Sequence, residues 1–387
     1  MKSLFTSECV TAGHPDKVCD IISDSILDAY LKGDPLSRVA VETLVCQDSV
    51  VVAGEVTSKA TIDTEKVIKN AISNIGYNYD DMKFNVSNIK ITNLIHNQSP
   101  DIAMGVDING AGDQGIMFGG AYRGIDDETL MPNEWKLSRE LANQLQLVQK
   151  DIPGMLRPDG KTQVTLSYDA NAAKPIVDTI VVSCQHDPNT TIDEIRQLIT
   201  TKVINPVIDK YSNSIIVDNN NVKIHINPTG RFVTGGPDGD SGVTGRKIVV
   251  DGYGGFYPVG GGAFSGKDPT KVDRSAAYMA RYLAYNIVRA GMARNCVVQL
   301  SYAIGIPQPT SLSVCIDGRI APSVSEWLLK NVAMDPKSII DRFDLRLQKG
   351  LFKGYADLAT NGHFGRSDVN LPWEITDIGD ILKKKFS

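Results

Sequence analysis

The sequence predicts an α+β protein made of three similar modules, each a sheet with helices on one face. Three observations carry this. Apolar residues recur with helical period in three long segments about 120 to 135 residues apart, and one third of 387 is 129. Each segment is followed by a pair of strand-like runs and then by a further helical stretch. Short echoes repeat in the same order: Leu166-Ser167-Tyr168 returns as Leu300-Ser301-Tyr302, and Gly112-Asp113-Gln114-Gly115 as Gly239-Asp240-Ser241-Gly242.

The first helix opens at Pro15, whose fixed φ suits the first helical position, and sets Val18, Ile22, Ile26 and Ala29 on one face before ending near Gly33. Strand-like runs over 38–45 and 49–56 follow, then a helical stretch over 64–75. The second helix spans 133–150, with Trp135, Leu141, Leu145 and Val148 in period; runs over 163–168 and 176–183 and a helical stretch over 192–208 come after it. The third starts after Pro269 and Thr270, presents Ala276, Ala280, Leu283 and Ile287, and stops at Gly291, a residue type that closes helices. Runs over 297–303 and 311–316 and a helical stretch over 324–332 complete the repeat. The expected modules are 1–109, 110–232 and 233–387, with elements exchanged between them.

Hydrophobic residues make up 42% and charged residues 22% with both signs interleaved, which excludes disorder, collagen and coiled coil. A net charge of -5 provides no whole-chain positive field for nucleic acid or anionic lipid, so any phosphate site is local. No apolar run approaches the roughly 20 residues that span a bilayer, and the first ten residues lack an apolar leader. A cytoplasmic protein with no membrane or nucleic-acid partner is expected. The six cysteines form no C-x-x-C pair and read as reduced thiols, and the histidines show no zinc-ligand spacing.

Two stretches carry most of the chemistry. At His14-Pro15-Asp16-Lys17 the free N–H groups of a helix start stand beside a histidine, a carboxylate and an ammonium, an arrangement suited to a polyphosphate with Mg²⁺ on Asp16 and a hydrogen bond from His14 to a leaving oxygen. A capped surface helix is the plainer alternative. Between 235 and 273 a glycine-rich run threads Arg246, Lys247, Lys267 and Lys271 among Asp240, Asp251, Asp268 and Asp273, which suggests phosphate plus Mg²⁺ rather than only a solvated loop. Within it, residues 261–268 nearly match the phosphate-loop pattern G-x-x-x-x-G-K-[ST]. The match fails at Asp268, Pro269 stands where the helix should run, and the strand expected near 247–250 lies too early. The turns at 110–115 and 157–161 present Asp113, Asp159 and Lys161, and the stretch from Asn97 to Asn109 reads as a lid.

Together Gly13-His14-Pro15-Asp16-Lys17, the GAGDQG hexapeptide at 110–115, Asp159-Gly160-Lys161, Asn227-Pro228-Thr229-Gly230-Arg231-Phe232 and the stretch 260–274 resemble the S-adenosylmethionine synthetase (methionine adenosyltransferase) family. The tail motifs His363-Phe364-Gly365-Arg366 and Leu371-Pro372-Trp373-Glu374 look like it too. The resemblance implies three modules about a pseudo-threefold axis, and attack of the methionine sulfur on C5′ of ATP with loss of tripolyphosphate, later cut to pyrophosphate and phosphate. It implies two Mg²⁺ per site, on Asp16 and Asp273, and K⁺ on Glu42. It places His14, Lys161, Arg246, Lys247 and Lys267 in catalysis. The same five, with Asp113, Asp159, Gly160, Arg231, Phe232, Asp240 and Ala263, would bind ATP. Glu55, Gln98, Asp240 and Lys271 would bind methionine, and a homodimer or homotetramer would hold its sites at the dimer interface.

The chain departs from the family pattern at Cys9, Ala12, Met104, Asp238 and Gly252, none of which is assigned to the chemistry. Two other readings remain at this point: a phosphate-loop ATPase or kinase, which would form ADP without methionine, and a silent subunit that binds nucleotide without turnover.

Overall fold

The computed structural model describes residues 2–97, 110–218 and 220–386. Its strands are β1 (Lys2–Val10), β2 (Arg38–Cys46), β3 (Ser49–Thr57), β4 (Lys90–Asn97), β5 (Gly115–Tyr122), β6 (Leu156–Asp169), β7 (Ile176–His186), β8 (Lys223–Ile226), β9 (Gly242–Val243), β10 (Asn295–Tyr302), β11 (Ser311–Ile316) and β12 (Arg319–Ile320). Among the described residues they form three four-stranded sheets, ordered β9-β2-β3-β4, β1-β6-β7-β8 and β5-β10-β11-β12. Valines at alternate positions of β2 turn one face inward and leave Glu42 on the other.

The sheets borrow strands cyclically. β1 pairs with β6 in the second sheet, β5 with β10 in the third, and β9 with β2 in the first, all antiparallel. The fourth strand is parallel to its neighbour in the first two sheets and antiparallel in the third, where a two-residue strand follows a tight turn. This is the threefold order implied by the repeat. The edge strands β1, β5 and β9, which make the exchange, are left out by the apolar periodicity, and so are the fourth strands β4, β8 and β12.

Helices cover one face of each sheet: α1 (Pro15–Gly33) and α2 (Thr64–Ile75) the first, α3 (Asn133–Asp151), α4 (Ile192–Ile199) and α5 (Asn205–Tyr211) the second. A one-turn helix, α6 (Ile248–Asp251), precedes α7 (Val272–Arg289), which with α8 (Pro322–Asn331) backs the third. The expected single helix over 192–208 carries a π turn over Thr200–Ile204. Pro206 has no N–H to offer, and the Lys202 carbonyl instead accepts from Gln144 Nε2 at 2.9 Å. The strand expected near 247–250 is α6, and the turn expected at 157–161 lies inside β6, beside a bulge between Leu156 and Gly160.

One apolar core runs through the first and third sheets and a second fills the central one. Along α1 a row of carboxylates at every fourth position fastens the first third to the last. Asp16 accepts from Val243 N at 3.1 Å, Asp20 from Gly245 N at 2.9 Å, Asp24 from Gly266 N at 2.8 Å, and Asp28 from Tyr355 N and Ala356 N at 2.8 and 2.9 Å. Asp24 also holds the Arg274 guanidinium with both oxygens, at 2.8 and 2.6 Å, and both side chains are wholly buried. Replacing Asp24 by Ala strands that guanidinium, so the variant should lose about 3–5 kcal/mol, read from urea unfolding midpoints.

Candidate active site

One group of the candidate side chains forms where three segments meet. The β1–β6 register sets Val10 opposite Lys161 and is continued by Thr11, whose N donates to Gly160 O at 2.9 Å and whose Oγ1 donates to Pro158 O at 2.7 Å. That lays residues 158–161 against the start of α1. On its other side, β9 brings residues 242–247. A Cβ on Gly242 would stand 2.2 Å from the Pro15 carbonyl carbon, so only glycine permits this approach.

His14 is the N-cap of α1, and its Nδ1 accepts from Asp16 N at 3.2 Å. With Nδ1 used as an acceptor, the proton of the neutral ring belongs on Nε2, which is left as a donor. Burial, then the positive charges of Lys247 and Lys161, hold the imidazole pKa down at about 3, so it is neutral at pH 7. Asp16 takes Lys247 Nζ at 2.5 Å and lies 3.7 Å from Arg246 Nη1; the Lys247 hydrogen bond and that from Val243 N keep its carboxyl below the usual range despite burial. Asp159 is buried, accepts from Gly236 N at 2.8 Å on Oδ2, and has an unpartnered Oδ1; burial raises it to about 6. Gly160 follows it in β6, and Lys161 is exposed. His186 fixes Phe232 by two bonds, accepting from its N on Nε2 and donating its own N to its carbonyl, each 3.0 Å, beside exposed Arg231 and Asp240.

A second group lines a cleft of about 350 Å³ on the first sheet, with Glu42, Glu55, Thr244, Ala263 and Lys267 in its walls. Register explains the pair of carboxylates: Ala40 stands opposite Glu55 and Glu42 opposite Ala53, so both side chains leave the same face. Lys267 bridges to the backbone of Ala40, and its ammonium lies 2.6 Å from Asp273 Oδ2. Asp113 sits on a bend two residues before Gly115, whose Cβ position is 3.5 Å from Asp273 Oδ1. The two groups meet at Gly245, where a Cβ would approach that of Ala263 to 2.6 Å. Lys271 pairs with Asp268 at 2.5 Å. Gln98, Met104 and the stretch expected to be a lid lie outside the described residues, apart from Asn97, which ends β4.

The phosphate-loop reading fails on geometry. α7 begins only at Val272, and Asp268 is buried, accepting from Val39 N at 2.8 Å and Thr270 N at 2.9 Å. It is a fastener of the chain, standing where a phosphate loop has its metal-binding hydroxyl. Among the described residues no three His, Cys, Asp or Glu side chains could cage a metal. Mg²⁺ needs no such cage, since it is commonly held by one or two carboxylates plus phosphate oxygens, and Asp16 beside Lys247 and Asp273 beside Lys267 fit that habit.

Of the residues packed around the site, Tyr77 and Phe84 carry no signal in the sequence, whereas Asp238, Ala12 and Cys9 stand out there only as departures from the family pattern. Tyr77 donates to the Gly13 carbonyl and packs edge-on against Phe84, while Asp238 accepts from Lys83 N at 2.9 Å and Phe84 N at 2.8 Å, clamping the loop after α2 to the segment bearing Asp240. Ala12 donates its N to Gln146 Oε1 at 3.0 Å. Cys9 is buried, and burial pushes its thiol up, away from reactive thiolate.

The S-adenosylmethionine synthetase N-terminal, central and C-terminal domain families match residues 2–100, 108–232 and 234–375. The chain belongs to the S-adenosylmethionine synthetase family. It is 53% identical over 384 residues to an S-adenosylmethionine synthase of Fusobacterium nucleatum, covering 98% of this chain and 97% of that one. It is 47% identical over 409 residues to one of Pseudothermotoga lettingae, covering both chains fully. A solved structure described as an unusual S-adenosylmethionine synthetase from Campylobacter jejuni superposes with a TM-score of 0.90 at 39% identity, covering 99% of this chain and 100% of that one. The members of the S-adenosylmethionine synthetase family are methionine adenosyltransferases, and that enzyme class holds for this chain. No helix among the described residues is long and apolar enough to cross a membrane.

Gly242→Ala should shift the first turn of α1 and cost about 1–3 kcal/mol, with at least a tenfold loss of S-adenosylmethionine formation in the folded fraction. Thermal melts and initial rates check both. Because burial raises Asp159, that carboxyl contributes stability fully below about pH 3.8 and loses it as pH rises through about 6. The stability of Asp159→Asn relative to the parent should therefore rise as pH goes from about 4 to about 6 and level off above that, measured by urea unfolding without nucleotide.

Proposed function

We propose that the chain joins ATP to L-methionine by attack of the thioether sulfur on C5′. The S–C5′ bond forms as C5′–O5′ breaks, the electron pair leaves on tripolyphosphate, and water then cuts that product to pyrophosphate and phosphate. The observation that carries this is the neutral His14 donor set among Lys161, Arg246, Lys247 and Asp16. A thioether is a neutral nucleophile and needs no base, whereas the leaving group must be met by donors and cations. A histidine with a pKa of about 3 is a poor base but still donates from Nε2.

Lys161, Arg246, Lys247 and Lys267 would hold the phosphates, with Gly160 and the Ala263 backbone close to them. The unpartnered Asp159 oxygen and Asp113 would accept from the nucleoside, Phe232 would stack on adenine next to Arg231, and Glu55, Gln98, Asp240 and Lys271 would hold methionine. Two Mg²⁺, on Asp16 and Asp273, would neutralise phosphate oxygens, and K⁺ on Glu42 would balance charge in the cleft. Each chain carries two groups of cations and carboxylates; we take them as halves completed by a second copy, in a homodimer or homotetramer. Residues 1–109, 110–232 and 233–387 are the proposed modules. All six cysteines are free, which suits the cytoplasm.

Purified protein given ATP, Mg²⁺ and K⁺, with and without methionine, should form S-adenosylmethionine, pyrophosphate and phosphate in equal amounts only when methionine is present. ADP formed without methionine, or ATP binding with no turnover, would overturn the proposal. His14→Ala should lower kcat about 10²- to 10³-fold, the usual loss for one donor to a developing oxyanion. Lys267→Ala should lower kcat far more than it weakens methionine binding, because the charge it meets grows in the transition state.

A further inference from the structure

Three charged side chains lie wholly buried behind the His14 group, and none of them lines either half of the site. Lys17 Nζ donates to Asp20 Oδ2 at 2.9 Å and also to Asp251 Oδ1, and all three side chains are almost completely shielded from water. Asp20 in turn accepts from Gly245 N at 2.9 Å on its other oxygen. The segment from Gly245 to Asp251 is therefore fastened at both ends to one lysine: through Asp20 at Gly245 and directly at Asp251. Between those fasteners stand Arg246 and Lys247.

Local bonds tighten the far end. Asp251 N donates to the Lys247 carbonyl at 2.8 Å, so the carboxylate that grips Lys17 lies one helical turn from the lysine that pairs with Asp16. Arg139 Nη2 donates to Val250 O at 3.2 Å; burial raises the Asp251 carboxyl, and the charges of Lys17 and then Arg139 offset part of that rise. Two buried cations thus face two buried carboxylates. Such a cluster adds little net stability over apolar side chains of the same volume, so its value lies in fixing geometry.

We propose that the buried Asp20–Lys17–Asp251 relay is a positioning device that sets Arg246 and Lys247 against Asp16 and the polyphosphate, and that Asp251 is its decisive member. Lys17 follows Asp16 in α1, so the relay ties the turn that carries His14 and Asp16 to the loop that carries the two cations, across more than 200 residues of sequence. It deepens the assignment of Arg246 and Lys247 to the phosphates and rests on it.

The test separates positioning from bulk stability. Asp251→Asn should lose at least thirtyfold in kcat for S-adenosylmethionine formation, with KM for methionine changed less than twofold. Asp251→Asn leaves Lys17 paired with Asp20 alone; Lys17→Met combined with Asp251→Asn removes one charge of each sign, leaves Asp20 on the Gly245 N–H, and should keep kcat low at a melting temperature no lower than that of Asp251→Asn. Tripolyphosphate binding by titration calorimetry should be at least tenfold weaker in that double variant, a readout independent of turnover. Wild-type kcat and tripolyphosphate affinity in the folded double variant would overturn the proposal. Where neither variant folds, Asp251→Glu moves the carboxylate by one methylene, and unchanged kcat and tripolyphosphate affinity in it would overturn the proposal equally. Lys247→Ala, measured alongside, separates the two claims: unaltered tripolyphosphate affinity there would remove the phosphate assignment itself, whatever Asp251 does.

Discussion

Backbone N–H groups of the last third of the chain end on a row of carboxylates along α1, and the rest of the molecule is arranged around that row. Asp16, Asp20, Asp24 and Asp28 recur every fourth residue, so they line one face of the helix and meet Val243, Gly245, Gly266 and the Tyr355–Ala356 pair in turn. A carboxylate that accepts backbone N–H bonds is stabilised in its charged form, which offsets part of the cost of burial. The same row starts at the His14–Asp16 turn and ends at the C-terminal segment. It therefore couples the stability of the first and third sheets to the placement of the site.

Strand exchange decides where function can sit. The chain leaves β1 in the second sheet and enters α1 against the first within a few residues, and His14 lies in that crossing. It leaves β9 in the first sheet on the way to the third, and Arg246 and Lys247 lie in that one. Crossings are the places where backbone from different thirds must approach closely, which is why Gly13 and Gly242 have no room for a side chain. A Cβ on Gly13 would stand 2.3 Å from the Pro158 carbonyl carbon. His14, Arg246 and Lys247 are thus held by packing between thirds rather than by a flexible loop.

Much of the architecture is legible in the residues themselves. The three long helices and the central hairpins announce themselves because their apolar period extends over many residues, and α2 matches its expected span at both ends. The exchanged strands do not. β9 has only two paired residues, and β1 pairs with a partner more than 150 residues away, so no local pattern marks either. The stretch 247–250 looks extended by its valines, yet Lys17 and Arg139 hold it as a helical turn, tertiary contacts overriding a weak β propensity. His14, Asp16 and Lys267 stand out through their glycine-rich and proline-marked contexts, whereas Asp251 reads as one more carboxylate of the glycine-rich run and Asp238 as a departure from the family pattern. Only the partners they meet show their role.

The stretch 261–268 shows how far composition alone can carry an argument. Glycines followed by a lysine read equally as a phosphate loop or as backbone threading between other segments, because both uses need residues that permit close approach. What separates them is the carboxylate at the end. In a phosphate loop that position faces the metal, while here Asp268 turns inward to Val39, Thr270 and Lys271, and the helix begins later. Lys267 is consequently presented by a bridge to the edge of the first sheet, next to Glu42 and Glu55, and not by a helix N-terminus. The dipole of a helix start is spent instead at His14, where its free N–H groups meet a buried, neutral imidazole. A cation on a strand edge and a donor at a helix start are therefore presented from separate elements, where a phosphate loop presents both from one turn.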